Sequence, residues 1–240
     1  MKNTDTSKMK QLLGLNFNDT GSIWLTKQKT LRTLVGILGM LLPLLLWFFL
    51  LLDSLQTTVL NSISHYYYTR VSSIFVLVLG LLAFFLLIYK GYDAKDFIAS
   101  SLAGIFALCV VFFPTSNISD TCCDPTTPYA LTILRKNVFR VGFHYFSAAV
   151  FLSSLAYISL FLFTKSDKSP SKRTGSKIKR NRVYRICGGL MLLAILVIAA
   201  GQFLFREFYD KNHLTFWMET LAVESFGISW LVKGEWIWKD

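Results

Sequence analysis

Six runs of apolar residues, at approximately 34–52, 71–89, 97–114, 141–163, 186–205 and 214–232, constrain this chain more than any other feature. An α-helix rises about 1.5 Å per residue and a bilayer core is about 30 Å thick, so roughly twenty apolar residues make one crossing. The first two runs are nearly pure, as in Leu41 to Leu52 with Trp47, Phe48 and Phe49. The third is short, and the sixth encloses Glu219 and Glu224. Only 16% of the 240 residues are charged and 53% are hydrophobic, where a soluble domain has about 25% and 45–50%. That balance excludes a disordered chain, a collagen-like fibre and a disulfide-stapled mini-protein. The expectation is an all-α polytopic membrane protein. Its six-transmembrane-helix bundle would occupy 34–232, after an N-terminal segment 1–33 and before a tail 233–240.

The leader does not read as a cleaved signal, because about thirty mostly polar residues precede an apolar run longer than a signal core. Leu12, Leu13, Leu15, Phe17, Ile23, Trp24 and Leu25 could lay it on the membrane surface; a free tail is the other reading. Orientation follows from the basic residues. With six spans, 19 of the 25 lysines and arginines fall on one side, nine of them between Lys165 and Arg185. The other side holds Arg70, Arg135, Lys136, Arg140, Arg206 and Lys211. Both termini are therefore expected in the cytoplasm, in a plasma or bacterial inner membrane. The net charge of +11 follows largely from this bias. The 165–185 loop, with its Ser, Pro, Thr and Gly, reads as a flexible linker against anionic headgroups. It has no aromatic residue before Tyr184, so it lacks a base-stacking surface and no nucleic-acid partner is expected.

Ser100, Ala103, Gly104 and Ala107 recur at spacings of three and four, giving the third helix a small-residue face for close packing. Gly36, Gly39, Gly188 and Gly189 read the same way. Pro43 should kink the first helix. Trp217 and Trp230 bracket the sixth run as an interfacial belt would, and Tyr66 to Tyr68 read as interfacial anchors. Cys109 and Cys187 lie within spans. Cys122 and Cys123 are adjacent, with α carbons about 3.8 Å apart, below the usual disulfide window. They are free thiols or form an intermolecular bridge, and a homo-oligomer is one possibility. Asn117-Ile118-Ser119 fits a glycosylation sequon.

This topology gathers His65, His144 and His213 at the outer side, with Asp53, Asn61, Arg70, Arg140, Gln202, Arg206, Glu207 and Glu219. A charge at the bilayer centre costs about 2.5–3.5 kcal/mol, so Glu224, near the middle of the sixth run, should face the bundle interior. Glu219 and Glu224 are roughly 140° apart around a helix and do not form one site. His144 and Ser147 share a face, as do Gln202 and Arg206, and one glutamate is expected to meet one of these groups. The candidate ligand-binding residues are His65, Arg70, Arg140, His144, Gln202, Arg206, Glu219 and Glu224. Each also has a plain structural reading: His144 bonding a neighbouring helix, Glu224 a neutral acid on a carbonyl, Arg70 and Arg140 snorkelling to phosphates.

Three functions fit these residues. One is a lipid-headgroup site in the outer leaflet, with Arg70, Arg140 and Arg206 on a phosphate and no catalysis. A second is a metallohydrolase with zinc on His65, His144 and His213 and water activated by Glu219 or Asp53. A third is a channel, transporter or pore-forming effector using Glu224. The stretch Asn61 to Arg70, Ile74-Phe75, Ala103-Gly104, Gly142-Phe143-His144 and Ala148 resembles the DRAM-like six-helix superfamily. Glu224 to Gly234 looks more like uncharacterised bacterial six-helix families. The likeness covers roughly residues 34–232, mostly as architecture. It implies six helices and a lipid-related role, and it carries over no catalytic residues. The reading is a lipid-related binding or regulatory membrane protein with a polar outer cavity and membrane lipids as partners.

Overall fold

The computed structural model describes residues 28–54, 56–121, 124–166, 174–204 and 206–237; the side chains of Gln202, Phe203 and Arg206 lie outside this description. A helix covers each of the six apolar runs. They are α1 (Gln28–Ser54), α2 (Ser72–Ile88), α3 (Ala94–Phe112), α4 (Val138–Tyr157), α5 (Gly175–Leu204) and α7 (Leu214–Lys233). A π turn, Ile158–Leu162, continues α4; a 3-10 turn, Ile63–Tyr68, precedes α2; and the short α6 (Arg206–Lys211) precedes α7. Among the described residues the only extended pairing is an isolated bridge between Thr69 and Ala130.

Four of these helical stretches are long and apolar enough to cross a membrane: Gln28–Ser54, Ala94–Phe112, Val138–Leu162 and Gly175–Gly201. α2 is apolar but has 17 residues, about 26 Å. α7 has 20 residues and contains Glu219, Glu224 and Lys233. The outer surface is apolar, with Leu77 62%, Ile98 64% and Leu196 66% exposed. Such a surface suits hydrocarbon and would aggregate in water.

The helices close into a ring. α1 packs on α2, α2 on α3, α3 on α4, α4 on α5, α5 on α7, and α7 back on α1. Small residues set the closest crossings. A β-carbon on Gly36 would lie 2.8 Å from the Gly227 carbonyl, and one on Gly227 would lie 2.8 Å from the Gly36 carbonyl. α1 and α7 thus meet backbone to backbone. The small face of α3 does the same to α2: a β-carbon on Gly104 would lie 2.8 Å from the Ala83 carbonyl. Ser100, Ala103 and Ala107 are buried there. α1 runs as one helix through the buried Pro43.

The two ends of the ring differ. The proximal end carries the start of α1, the α2–α3 turn, the α4–α5 connection and the end of α7. Lys165 bridges Asp93 and Asp96 at 2.8 Å, Lys29 meets Glu235 at 2.5 Å, and Arg32 lies over the rings of Tyr89 and Tyr92. Asp93 also caps α3 by accepting from the Asp96 N–H at 3.1 Å. The distal end carries residues 56–71, the 113–137 segment and α6.

Three sequence expectations need correcting. The basic 165–185 stretch is not all linker: α5 starts at Gly175, and Arg180, Asn181, Tyr184 and Cys187 are buried. Their helical spacing presents one face to the bundle, where the Ser159 hydroxyl donates to the Tyr184 carbonyl at 2.8 Å. Residues 167–173 lie outside the described residues. Trp230 is no interfacial belt residue. It is fully buried, packed edge-on to Tyr89 and Phe163 at 4.9 and 5.3 Å. Tyr66 and Tyr68 are likewise fully buried rather than interfacial. The leader 1–27 and the Cys122–Cys123 pair lie outside the described residues.

Candidate functional site

The distal loops are folded inward onto the bundle and onto one another. The Phe216 N–H donates to the Asn61 carbonyl at 2.9 Å, and His213 Nδ1 lies 2.6 Å from Asn61 Oδ1. The start of α7 is thereby pinned to residues 61–63. His213 has φ +51° there, in the left-handed region, and turns the chain from α6 into α7. Tyr68 donates its hydroxyl to the Thr115 carbonyl, and the Leu131 N–H donates to the Tyr68 carbonyl at 2.9 Å. The 113–137 segment is thus tied to the 3-10 turn.

Glu219, one turn and a half into α7, faces the start of the 3-10 turn. Its Oε2 accepts from the Ile63 N–H at 2.6 Å. The Ser62 hydroxyl reaches both carboxylate oxygens, at 2.9 and 3.0 Å, while accepting from the Ser64 N–H at 3.1 Å. Ser62 caps the turn, and Glu219 docks α7 onto that cap. Sequence reasoning expected Glu224 or Glu219 to meet His144 and Ser147 or Gln202 and Arg206. It missed the backbone N–H of Ile63, although Ser62-Ile63-Ser64 carries the signal of a capped turn.

Beside this carboxylate lies a cavity of about 710 Å³. Its polar wall includes Asn61, Ser62, His65, Asn117, His144 and Glu219, with Asp210 from α6. Its apolar wall comes from Ala148, Ala149 and Leu152 of α4 and Ile195, Ile198 and Ala199 of α5. α4 and α5 touch closely at the proximal end, where a β-carbon on Gly188 would lie 3.3 Å from the Ala156 carbonyl. At the distal end the cavity separates them. Ala149 of α4 and Ala199 of α5 both line it and are exposed.

Two histidines line the cavity. His144 is buried to 2% exposure, with Nδ1 2.8 Å from the Phe113 carbonyl. A carbonyl only accepts, so Nδ1 carries a proton, and the ring also hydrogen-bonds the Val110 backbone. His65, in the distal turn, is driven down to a pKa of about 4 by burial and by the neighbouring His144. The His65 ring therefore brings no positive charge to the cavity at neutral pH.

His65, His144 and Glu219 thus line one cavity, and other candidates lie apart from it. Arg70 is exposed and pairs with Asp53 at 3.1 Å. Arg140 does not reach the cavity: its Nε and Nη1 donate to the carbonyls of Pro114 and Arg135, at 3.1 and 2.9 Å. It lines an adjoining groove with Lys136. These arginines are held by protein acceptors close in sequence or space, so the expected three-arginine phosphate site does not form from Arg70 and Arg140. Gln202 and Arg206 belong to the described backbone, but their side chains lie outside the description. Glu224 is half-buried and does not line the cavity. Asn117 exchanges hydrogen bonds with the Leu134 backbone, at 2.8 and 3.2 Å, so its amide closes the distal segment. Among the described residues no three His, Cys, Asp or Glu side chains stand together as a metal site. His213 meets Asn61 rather than the other two histidines.

A scan of protein-family models and searches of curated proteins and of solved structures found no match to this chain. The likeness to DRAM-like and bacterial six-helix proteins therefore rests on short motifs alone.

Proposed function

We propose that this chain is a six-span membrane protein, with both termini cytoplasmic, that binds an amphipathic lipid in its distal cavity without chemically transforming it. The observation that carries this reading is the two-sided cavity. A polar wall at loop level faces an apolar wall formed by α4 and α5, and acyl chains would leave toward the bilayer between these two helices. Its volume suits a headgroup and the first part of its chains rather than a whole phospholipid, with the remainder in the membrane. α2 and α7 join the four clearly apolar helices as spans because they complete the ring. Of the charged groups of α7, Glu219 docks on the distal turn and Lys233 ends the helix, while Glu224 is half-buried. The distal side then faces outward, since the proximal end carries most of the basic residues.

The test is lipid extraction and mass spectrometry of the purified protein beside an Ala199→Trp variant, which fills the lateral opening. The expected result is about one phospholipid per wild-type chain and much less in the folded variant. Equal lipid in both would sink the cavity as the binding site. Zinc bound in stoichiometric amount, and lost with His144→Ala, would favour a hydrolase instead.

A further inference from the structure

We propose that a second lipid, anionic and from the proximal leaflet, docks in a groove between α3 and α4, with one acyl chain along the groove and its phosphate at Lys95. The proposal needs α3 and α4 to span the membrane and does not depend on the distal cavity.

Two helix faces build the groove. Lys95, Ile98, Ala99 and Leu102 recur at spacings of three and four on one side of α3. Phe146, Ala149, Val150, Ser153 and Tyr157 do the same on α4. Ala99, Ala149 and Ser153 are short, and a volume of about 710 Å³ stays open between the two faces. Ile98 and Tyr157 are 64% and 43% exposed, so the groove lies on the outside of the ring. Of its lining residues only Ala149 also borders the distal cavity.

The length of the groove selects its occupant. On α4 the lining runs from Tyr157, toward the proximal end, to Phe146. A helix rises about 16 Å between these residues, which is half of a hydrocarbon core about 30 Å thick. Phe146 packs edge-on to Phe106 of α3, with ring centroids 5.7 Å apart, so an aromatic contact bridges the two helices where the lining stops. A partner's transmembrane helix would need the full depth of the membrane. An acyl chain of one leaflet needs half.

Charge selects the headgroup. Lys95 is exposed at the proximal end of the groove, and no carboxylate lines it among the described residues. Asp93 and Asp96, on the same turn, are both bridged by Lys165 at 2.8 Å. Lys90, Lys95 and Lys165 outnumber these two aspartates, so this rim is cationic. A lipid phosphate at Lys95 meets an ammonium at headgroup level, where lysines attract anionic lipid. A zwitterionic lipid brings its own cation to the same place and gains less.

Native mass spectrometry of the full chain in detergent tests the site. An open groove exchanges its lipid with detergent, so dioleoyl phosphatidylglycerol and dioleoyl phosphatidylcholine are added back, each titrated separately. Wild type and Ala199→Trp, which fills the opening of the distal cavity, should each gain about one phosphatidylglycerol. Its affinity should exceed that of phosphatidylcholine about fivefold, the scale of one lysine's attraction to an anionic surface. Ser153→Trp, at an exposed position inside the groove, should abolish this added binding, and Lys95→Gln should bring the two lipids to near parity. Added lipid that binds Ser153→Trp as well as wild type overturns the groove. Should Ser153→Trp not fold, the exposed Lys95 still decides: a preference unchanged in Lys95→Gln overturns the proposal. Equal wild-type affinity for the two lipids overturns the anionic headgroup. A co-purified lipid lost in Ala199→Trp, with no added lipid bound by that variant, overturns the groove and leaves the distal site standing.

Discussion

Replacing Ser62 with alanine removes the one hydroxyl that joins the 3-10 turn to α7. That hydroxyl has a single proton, shared between the Glu219 oxygens at 2.9 and 3.0 Å, and it accepts from the Ser64 N–H at 3.1 Å. A hydrogen bond to a charged group contributes about 1.5–3 kcal/mol. Loss of a capping acceptor adds about 1 kcal/mol. The Ile63 N–H still reaches Glu219, so the carboxylate keeps one donor, and the expected loss is about 2.5–4 kcal/mol. For a domain of this size about 2–4 °C of melting temperature corresponds to each kcal/mol. Ser62→Ala should therefore lower the thermal midpoint in detergent by about 5–15 °C. Ser64 is the control. It is equally buried, but its hydroxyl has no hydrogen bond among the described residues, so Ser64→Ala should cost under about 1 kcal/mol. Combining Ser62→Ala with Glu219→Gln should cost less than the two losses added, because both act on one interaction. Equal shifts for Ser62→Ala and Ser64→Ala, or simple additivity with Glu219→Gln, would refute the argument that Glu219 docks α7 on this turn.

The remaining predictions concern other parts of the ring. Gly227→Val would press a β-carbon to 2.8 Å from the Gly36 carbonyl, and overpacking of that kind destabilises by about 1–3 kcal/mol or more. Gly142→Ala, with open space around it, should instead be neutral or stabilise by up to about 1 kcal/mol; paired melting curves check both. His65 should stay neutral until pH approaches about 4, as read by NMR titration of its ring against a His65→Gln spectrum. Its folded pKa lies below the usual 6.5, so the unfolded chain takes up the proton first. Its contribution to stability is complete above about pH 6.5 and falls as the pH drops toward 4; a ring midpoint near 6.5 would contradict the burial. Asp96→Asn should lower stability by about 1.5–3 kcal/mol, since Asp96 is 3% exposed and accepts from Lys165 and the Tyr92 N–H, each at 2.8 Å. A melting temperature unchanged by that substitution would remove the proximal ion pair from the account.

The helical architecture was legible because it depends on length and hydropathy, which are local properties. Leu41 to Leu52 cannot be solvated in water, and one helical pass of lipid satisfies both its side chains and its backbone. The small face of α3 was legible for a similar reason, since Ser100, Ala103, Gly104 and Ala107 fall on one side of any helix they form. The matching Gly227 drew no notice. Its importance lies in the approach of Gly36, which is distant in sequence. The basic stretch before α5 was misread because charge was weighed and period was not. Arg180, Asn181, Tyr184 and Cys187 already have the spacing of a buried face.

The sequence by itself determined that this chain is helical, that most of its helices are made for hydrocarbon, and that polar groups collect near one end. Those conclusions follow from the free energy of moving side chains and backbone out of water, residue by residue. Only the tertiary structure decided which polar groups meet. His65, His144 and Glu219 reach one cavity because Asn61 and Ser62 pin α7 to the distal turn. Arg70 and Arg140 are drawn elsewhere by Asp53 and by two backbone carbonyls. Hydrogen bonds act over about 3 Å, and sequence separations of 150 residues and more carry no record of so short a distance. Which polar groups share the cavity was therefore decided by packing alone.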